Sequence, residues 1–134
     1  MGKHISDSLY LPCCQIMNSD DDQPIIMEII AGFNLSGQLV ICVDLYDYEE
    51  PEYNCSTAVV VNLEDSRKMA RHHRVKHNQL PKFISERMEE WGDIINPTFT
   101  QVRDCFKEII ECLLDEGCRF KITRTYGKGG NMCC

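Results

Sequence analysis

The chain has 134 residues, 43% of them hydrophobic and 26% charged, a composition that indicates one globular domain and excludes a disordered or fibrous protein. The net charge is −7, but segment 66–82 holds six Lys or Arg and no Asp or Glu, whereas the rest holds 8 basic and 21 acidic residues. No apolar run approaches the ~20 residues of a membrane helix, and no secretory signal is recognisable, so the sequence predicts a cytosolic protein without a membrane partner.

The sequence predicts loosely ordered residues at both ends and an ordered domain between them. We expect residues 1–24 to be loosely ordered, residues 25–126 to form a single α+β domain, and residues 127–134 to form a flexible tail rich in Gly and Cys. Within the first segment, residues 9–17 are a candidate for an additional strand.

The ordered core is predicted to begin with three strands. Residues 25–35 and 38–48 alternate apolar side chains on either side of Ser36 and Gly37, which predicts a β-hairpin. Residues 55–63 are rich in β-branched side chains and predict the third strand. Parts of these strands are apolar on both sides, so a second subunit or the N-terminal residues are expected to cover the second sheet face, and a homo-oligomer stays open.

Helices are predicted after the third strand. Asp65 or Ser66 is expected to cap a short helix that ends at His73, and Pro81 fits the first turn of a helix that continues to about Trp91 and ends at Gly92.

The last two elements are a long helix and a closing strand. Thr98 and Gln101 predict a capping box at the start of the helix, and Gly117 predicts its end. Residues 118–126 alternate again and predict a strand. The sequence therefore predicts an α+β fold: a mostly antiparallel sheet, made of a three-strand meander plus a C-terminal strand, with two or three helices packed on one face.

The basic segment 66–82 is the main candidate for a binding site. If residues 66–77 are helical, Arg67, Arg71 and Arg74 form a stripe of guanidinium groups, which bind phosphate oxygens in pairs. The candidate ligand-binding residues are Arg67, Lys68, Arg71, Arg74, Lys76, His73, His77, Lys121 and Arg124. The sequence thus predicts a non-catalytic domain that binds an anionic ligand, either a nucleotide or the nucleic-acid backbone. The alternative is a solvent-exposed helix whose cations only offset the negative charge of the rest of the chain, which explains them equally well.

An acidic surface supports an alternative function. The predicted acidic rim consists of Asp44, Asp47, Glu49, Glu50 and Glu52. Such a rim suits an inhibitor or immunity-type protein that binds a basic protein partner, because complementary charge accelerates association.

Other chemistry has weaker support in the sequence. His72, His73 or His77 is a candidate general base of a small hydrolase or nuclease, and His73 and His77 have the spacing of half a zinc site, but Arg74 stands where the HExxH motif needs Glu. The nine cysteines are expected to be mostly packed thiols, with the pairs Cys13-Cys14 and Cys133-Cys134 as alternative zinc or redox ligands. No cofactor, metal or catalytic residue is predicted.

Overall fold

A computed structural model describes residues 10–19, 25–47, 49–50 and 54–126. Five strands form one antiparallel sheet in the order β1-β2-β3-β4-β5. The strands are β1 (Tyr10–Asn18), β2 (Ile25–Phe33), β3 (Leu39–Asp47), β4 (Cys55–Val61) and β5 (Phe120–Tyr126). The helices are α1 (Leu63–His72), α2 (Leu80–Arg87), α3 (Glu89–Gly92) and α4 (Phe99–Asp115). The predicted α+β fold class is confirmed.

The candidate strand at residues 9–17 is present as β1, so the sheet begins before residue 25, where the single domain was predicted to start. Strand β1 pairs with β2 from Tyr10↔Phe33 to Asn18↔Glu28, with two irregularities in register. It therefore becomes an edge strand of the sheet, although the segment that contains it has few apolar residues in strict alternation. The predicted C-terminal tail lies outside the described residues.

The predicted hairpin joins β2 to β3. The Asn34 side chain accepts hydrogen bonds from the backbone N–H groups of Ser36 (3.0 Å) and Gln38 (2.9 Å), which closes the turn. Gly37 has a φ of +78°, a conformation that most other residues adopt only at a cost. The local turn chemistry thus fixes the register of this pair.

Helix α1 begins earlier than predicted. Its N-cap is Asn62, whose side chain accepts a hydrogen bond from the Asp65 backbone N–H at 3.0 Å, so neither Asp65 nor Ser66 is the cap. The predicted helix from Pro81 to Trp91 is divided into α2 and α3 at Met88, which has non-helical dihedral angles.

Helix α4 matches the prediction at both ends. The Thr98 hydroxyl accepts from the Gln101 N–H (3.1 Å), and the Gln101 side chain accepts from the Thr98 N–H (2.9 Å). Gly117 follows the helix with a φ of +75° and ends it.

The main core lies between the helices and one face of the sheet. Val59 and Val61 of β4 are fully buried there, in one cluster with residues of α1, α2 and α4 such as Met69, Leu80 and Ile109. Val40, Cys42 and Ala58 form a second, smaller buried cluster on the opposite sheet face. The four helices all lie between β4 and β5 in the chain, and they pack on one face of the sheet.

Candidate basic surface and its neighbouring histidines

Five cations lie on the outer side of α1 and in the turn that follows it. We call these residues the basic surface: Arg67, Lys68, Arg71, Arg74 and Lys76. All five are exposed, and within the described part of the chain none of them forms an ion pair with a carboxylate. Their charge is therefore directed into solvent.

The inner side of α1 explains why the cations point outward. Met69 and Ala70 are each 2% exposed and belong to the main core. At the start of the helix, the Asp65 carboxylate accepts hydrogen bonds from Arg119, at 2.9 Å from the backbone N–H and at 2.8 Å from Nε. These bonds lower the pKa of Asp65, so the carboxylate stays ionised and holds α1 to the chain just before β5.

The predicted stripe of three arginines is interrupted where the helix ends. Arg74 has a φ of +59°, and the Val75 N–H turns back to the Ala70 carbonyl at 3.0 Å. This is a common end of a right-handed helix, in which the residue after the C-cap adopts the left-handed conformation. Arg74 and Lys76 therefore extend the basic surface from a turn and not from a further helical turn.

His77 is directed into the protein. Its Nε2 lies 2.9 Å from the Ser66 Oγ, and its ring centroid lies 5.1 Å from that of Phe33. Burial, followed by the charge of Arg67, lowers the pKa of His77. The Ser66 hydroxyl donates to the Leu63 carbonyl at 2.9 Å, so His77 donates to Ser66. Because Ser66 is also fully buried, this Ser-His contact does not form a nucleophile and its base.

His73 also contacts the protein, but at a different place. Its Nε2 lies 2.7 Å from the Glu116 Oε2, and its ring lies 4.6 Å from that of Phe83. His72 Nδ1 lies 3.5 Å from the other Glu116 oxygen. The sequence placed His73 with His77, whereas the structure brings His72 and His73 together with Glu116. Sequence reasoning missed Glu116 because it follows His73 by 43 residues and has no local motif.

Lys121 and Arg124 lie on opposite faces of β5. Lys121 pairs with Val60, on the face opposite the helices, whereas Arg124 pairs with Thr57, on the face that bears them. The two cations are exposed, but the strand separates their side chains. They do not form one patch with each other.

The acidic rim is only partly at the surface. Asp44 is 2% exposed and accepts a hydrogen bond from the Ser56 hydroxyl at 2.7 Å, so it cannot contact a protein partner. Asp47 accepts from the backbone N–H groups of Glu49 (3.0 Å) and Glu50 (3.1 Å), both of which are exposed. Glu52 lies outside the described residues.

The three described cysteines of α4 and of the turn that follows it are structural: Cys105, Cys112 and Cys118. Cys105 and Cys118 are buried in the main core, and burial raises their thiol pKa values to about 12 and about 11. Burial also raises the pKa of Cys112. A protonated, buried thiol is a poor nucleophile. Of the two vicinal pairs, Cys133-Cys134 lies outside the described residues, as does the side chain of Cys13.

Comparison with protein-family models, curated proteins and solved structures found no match for this chain. Among the helices of residues 10–19, 25–47, 49–50 and 54–126, none is long and apolar enough to cross a bilayer. Function must therefore be inferred from the charge and geometry of the chain's own residues.

Proposed function

We propose that this protein is a non-catalytic cytosolic domain that binds the phosphate backbone of nucleic acid through the basic surface. The observation that carries this proposal is the set of five exposed cations on α1 and its C-terminal turn, in a chain whose net charge is −7. Arginine and lysine neutralise phosphates without reading the bases, so sequence specificity is not part of the proposal.

The shape of the basic surface favours an extended ligand over a mononucleotide. Its cations project from the outside of a helix and a turn, whereas small-molecule sites are concave. The open cleft of about 560 Å³ between β1 and α2–α3 instead has, among the described residues that line it, no cation and three carboxylates: Glu86, Glu89 and Asp93. A flexible single strand can follow the convex cations, whereas the acidic remainder repels a second strand.

The test is a salt titration of binding to a fluorescently labelled oligothymidylate, measured by anisotropy. If all five cations contact phosphates, log K falls with log salt at a slope of about −3.5, because each contact to a single strand contributes about −0.7. The double substitution Arg71→Glu and Arg74→Glu removes two contacts, so we expect a slope of about −2 and an affinity loss of about tenfold or more at low salt.

A matched control separates a local surface from overall charge. Arg103→Glu with Lys107→Glu makes the same change in net charge on exposed residues of α4. We expect this control pair to leave the salt slope unchanged. Equal losses in the two double variants, or unchanged binding in the first, would contradict the proposed surface.

A further inference from the structure

The C-terminal ends of α1 and α4 meet at three side chains with metal-binding atoms. Each Glu116 carboxylate oxygen faces a different imidazole: Oε2 lies 2.7 Å from His73 Nε2, and Oε1 lies 3.5 Å from His72 Nδ1. The two imidazole rings lie edge to face with centroids 4.7 Å apart. One ligand atom from each of the three residues falls within 4.8 Å of the others.

We propose that His72, His73 and Glu116 bind a divalent transition-metal ion, with zinc as the best match. Two imidazole nitrogens and one carboxylate are a set of protein ligands that binds Zn²⁺, and three such ligands leave a fourth position for water. This site is independent of the proposed phosphate binding, since it uses none of the five cations of the basic surface.

Two of the three ligands, His73 and Glu116, are held by structure that forms without the ion. The His73 N–H bonds to the Met69 carbonyl at 3.1 Å, and the His73 ring packs on Phe83. The Glu116 N–H bonds to the Cys112 carbonyl at 3.1 Å, and the Glu116 side chain is only 14% exposed. Metal bonds of about 2.0–2.1 Å separate two ligand atoms by roughly 3.3 Å, so the 2.7 Å contact needs to open by roughly 0.6 Å.

The electrostatics at the helix ends favour a cation. The unpaired carbonyl groups at a helix C-terminus carry partial negative charge, and here two such ends converge. The Glu116 carboxylate, which faces both imidazoles, adds negative charge to the site. Arg71 and Arg74, which flank the two histidines in sequence, are both exposed to solvent.

Imidazole nitrogen spectra of the full chain test this site directly. The protein is labelled with ¹⁵N-histidine, its accessible thiols are capped with a methylthio group so that they cannot bind metal, and zinc chloride is added. We expect zinc to shift the resonances of His72 Nδ1 and His73 Nε2, and to leave His77 unchanged because His77 bonds to Ser66.

Paired substitutions on α4 test the carboxylate ligand. Glu116→Gln should weaken zinc binding by about tenfold or more, whereas Glu111→Gln, the same change at an exposed position of α4, should not. If Glu116→Gln does not fold, His72→Gln is the second variant, because the His72 side chain is 73% exposed and its loss does not disturb the core. We expect the same loss of affinity from it.

Two results would overturn the site. One is that the His72 and His73 resonances do not move when zinc is added, whether or not the protein takes up zinc. The other is an unchanged zinc affinity in a folded Glu116→Gln or His72→Gln variant.

Discussion

The two sides of α1 show how one short helix separates folding from the proposed binding. On the inner side, Ser66 and Met69 are buried, and the Ser66 hydroxyl and the Asp65 carboxylate both have hydrogen-bond partners. On the outer side, Arg67 and Lys68 are exposed and make no ion pair with a described carboxylate. The inner residues therefore carry the stability of the helix, and the outer cations remain available for a ligand.

The largest expected difference between the two sides concerns Met69 and Lys68, which are neighbours in sequence. Met69→Ala should lower the free energy of unfolding by about 2–5 kcal/mol, because it leaves a cavity where the side chain is 2% exposed. Lys68→Ala should change it by less than about 0.5 kcal/mol. Urea denaturation of the two variants measures both values. Similar losses would mean that the outer side also supports the fold.

A smaller, pH-dependent effect is expected from His77, which follows α1 and contacts Ser66 on the inner side of that helix. Burial and Arg67 lower its pKa from 6.5, so on acidification the unfolded chain takes up a proton before the folded one. The contribution of His77 to stability is therefore complete above pH 6.5 and is lost as the pH falls through its lowered pKa. The lowered pKa values of Asp65 and Glu116 act at lower pH, because their ordinary values are 3.8 and 4.5.

The melting temperature at pH 7.5 and 5.5 tests this effect. We expect it to fall less on acidification in His77→Gln than in the wild type, and the difference isolates His77 because all other titrating groups are common to both proteins. Identical pH dependence in the two proteins would show that His77 titrates as an exposed histidine does.

Elements with a strong local signal could be predicted from the sequence. The β2–β3 hairpin follows from alternation around Ser36 and Gly37, and α4 follows from its apolar spacing and from the Thr98 capping box. The outward direction of Arg67 and Arg71 also follows from helical spacing, once Met69 and Ala70 are assigned to the core.

Features that depend on tertiary contacts could not be predicted. The neighbour of His73 is Glu116, and only the packing of α4 beside α1 brings the two together. The Ser56 hydroxyl that donates to the buried Asp44 likewise comes from a neighbouring strand. The end of α1 was predicted at His73, which is its C-cap residue, but the left-handed conformation of Arg74 could not be predicted, because Gly or Asn is usual at that position.

The smallest expected effect tests that helix end. Arg74 has a φ of +59°, a conformation that glycine adopts without strain and most other residues adopt only at a cost. Arg74→Gly should therefore change the free energy of unfolding by less than about 1 kcal/mol, in either direction. Lys68→Gly also removes a long side chain and one positive charge, but within the helix, and should cost about 1 kcal/mol.

The pair also bears on the proposed function, because each variant removes one cation of the basic surface. If the cations act through charge and position, both variants lower the salt slope of oligonucleotide binding by about 0.7, whatever their effect on stability. A slope that changes only in Lys68→Gly would mean that Arg74 makes no contact with phosphate and is not part of the binding surface. An equal change in both would mean that Arg74, in its left-handed conformation, contacts a phosphate as the helical Lys68 does.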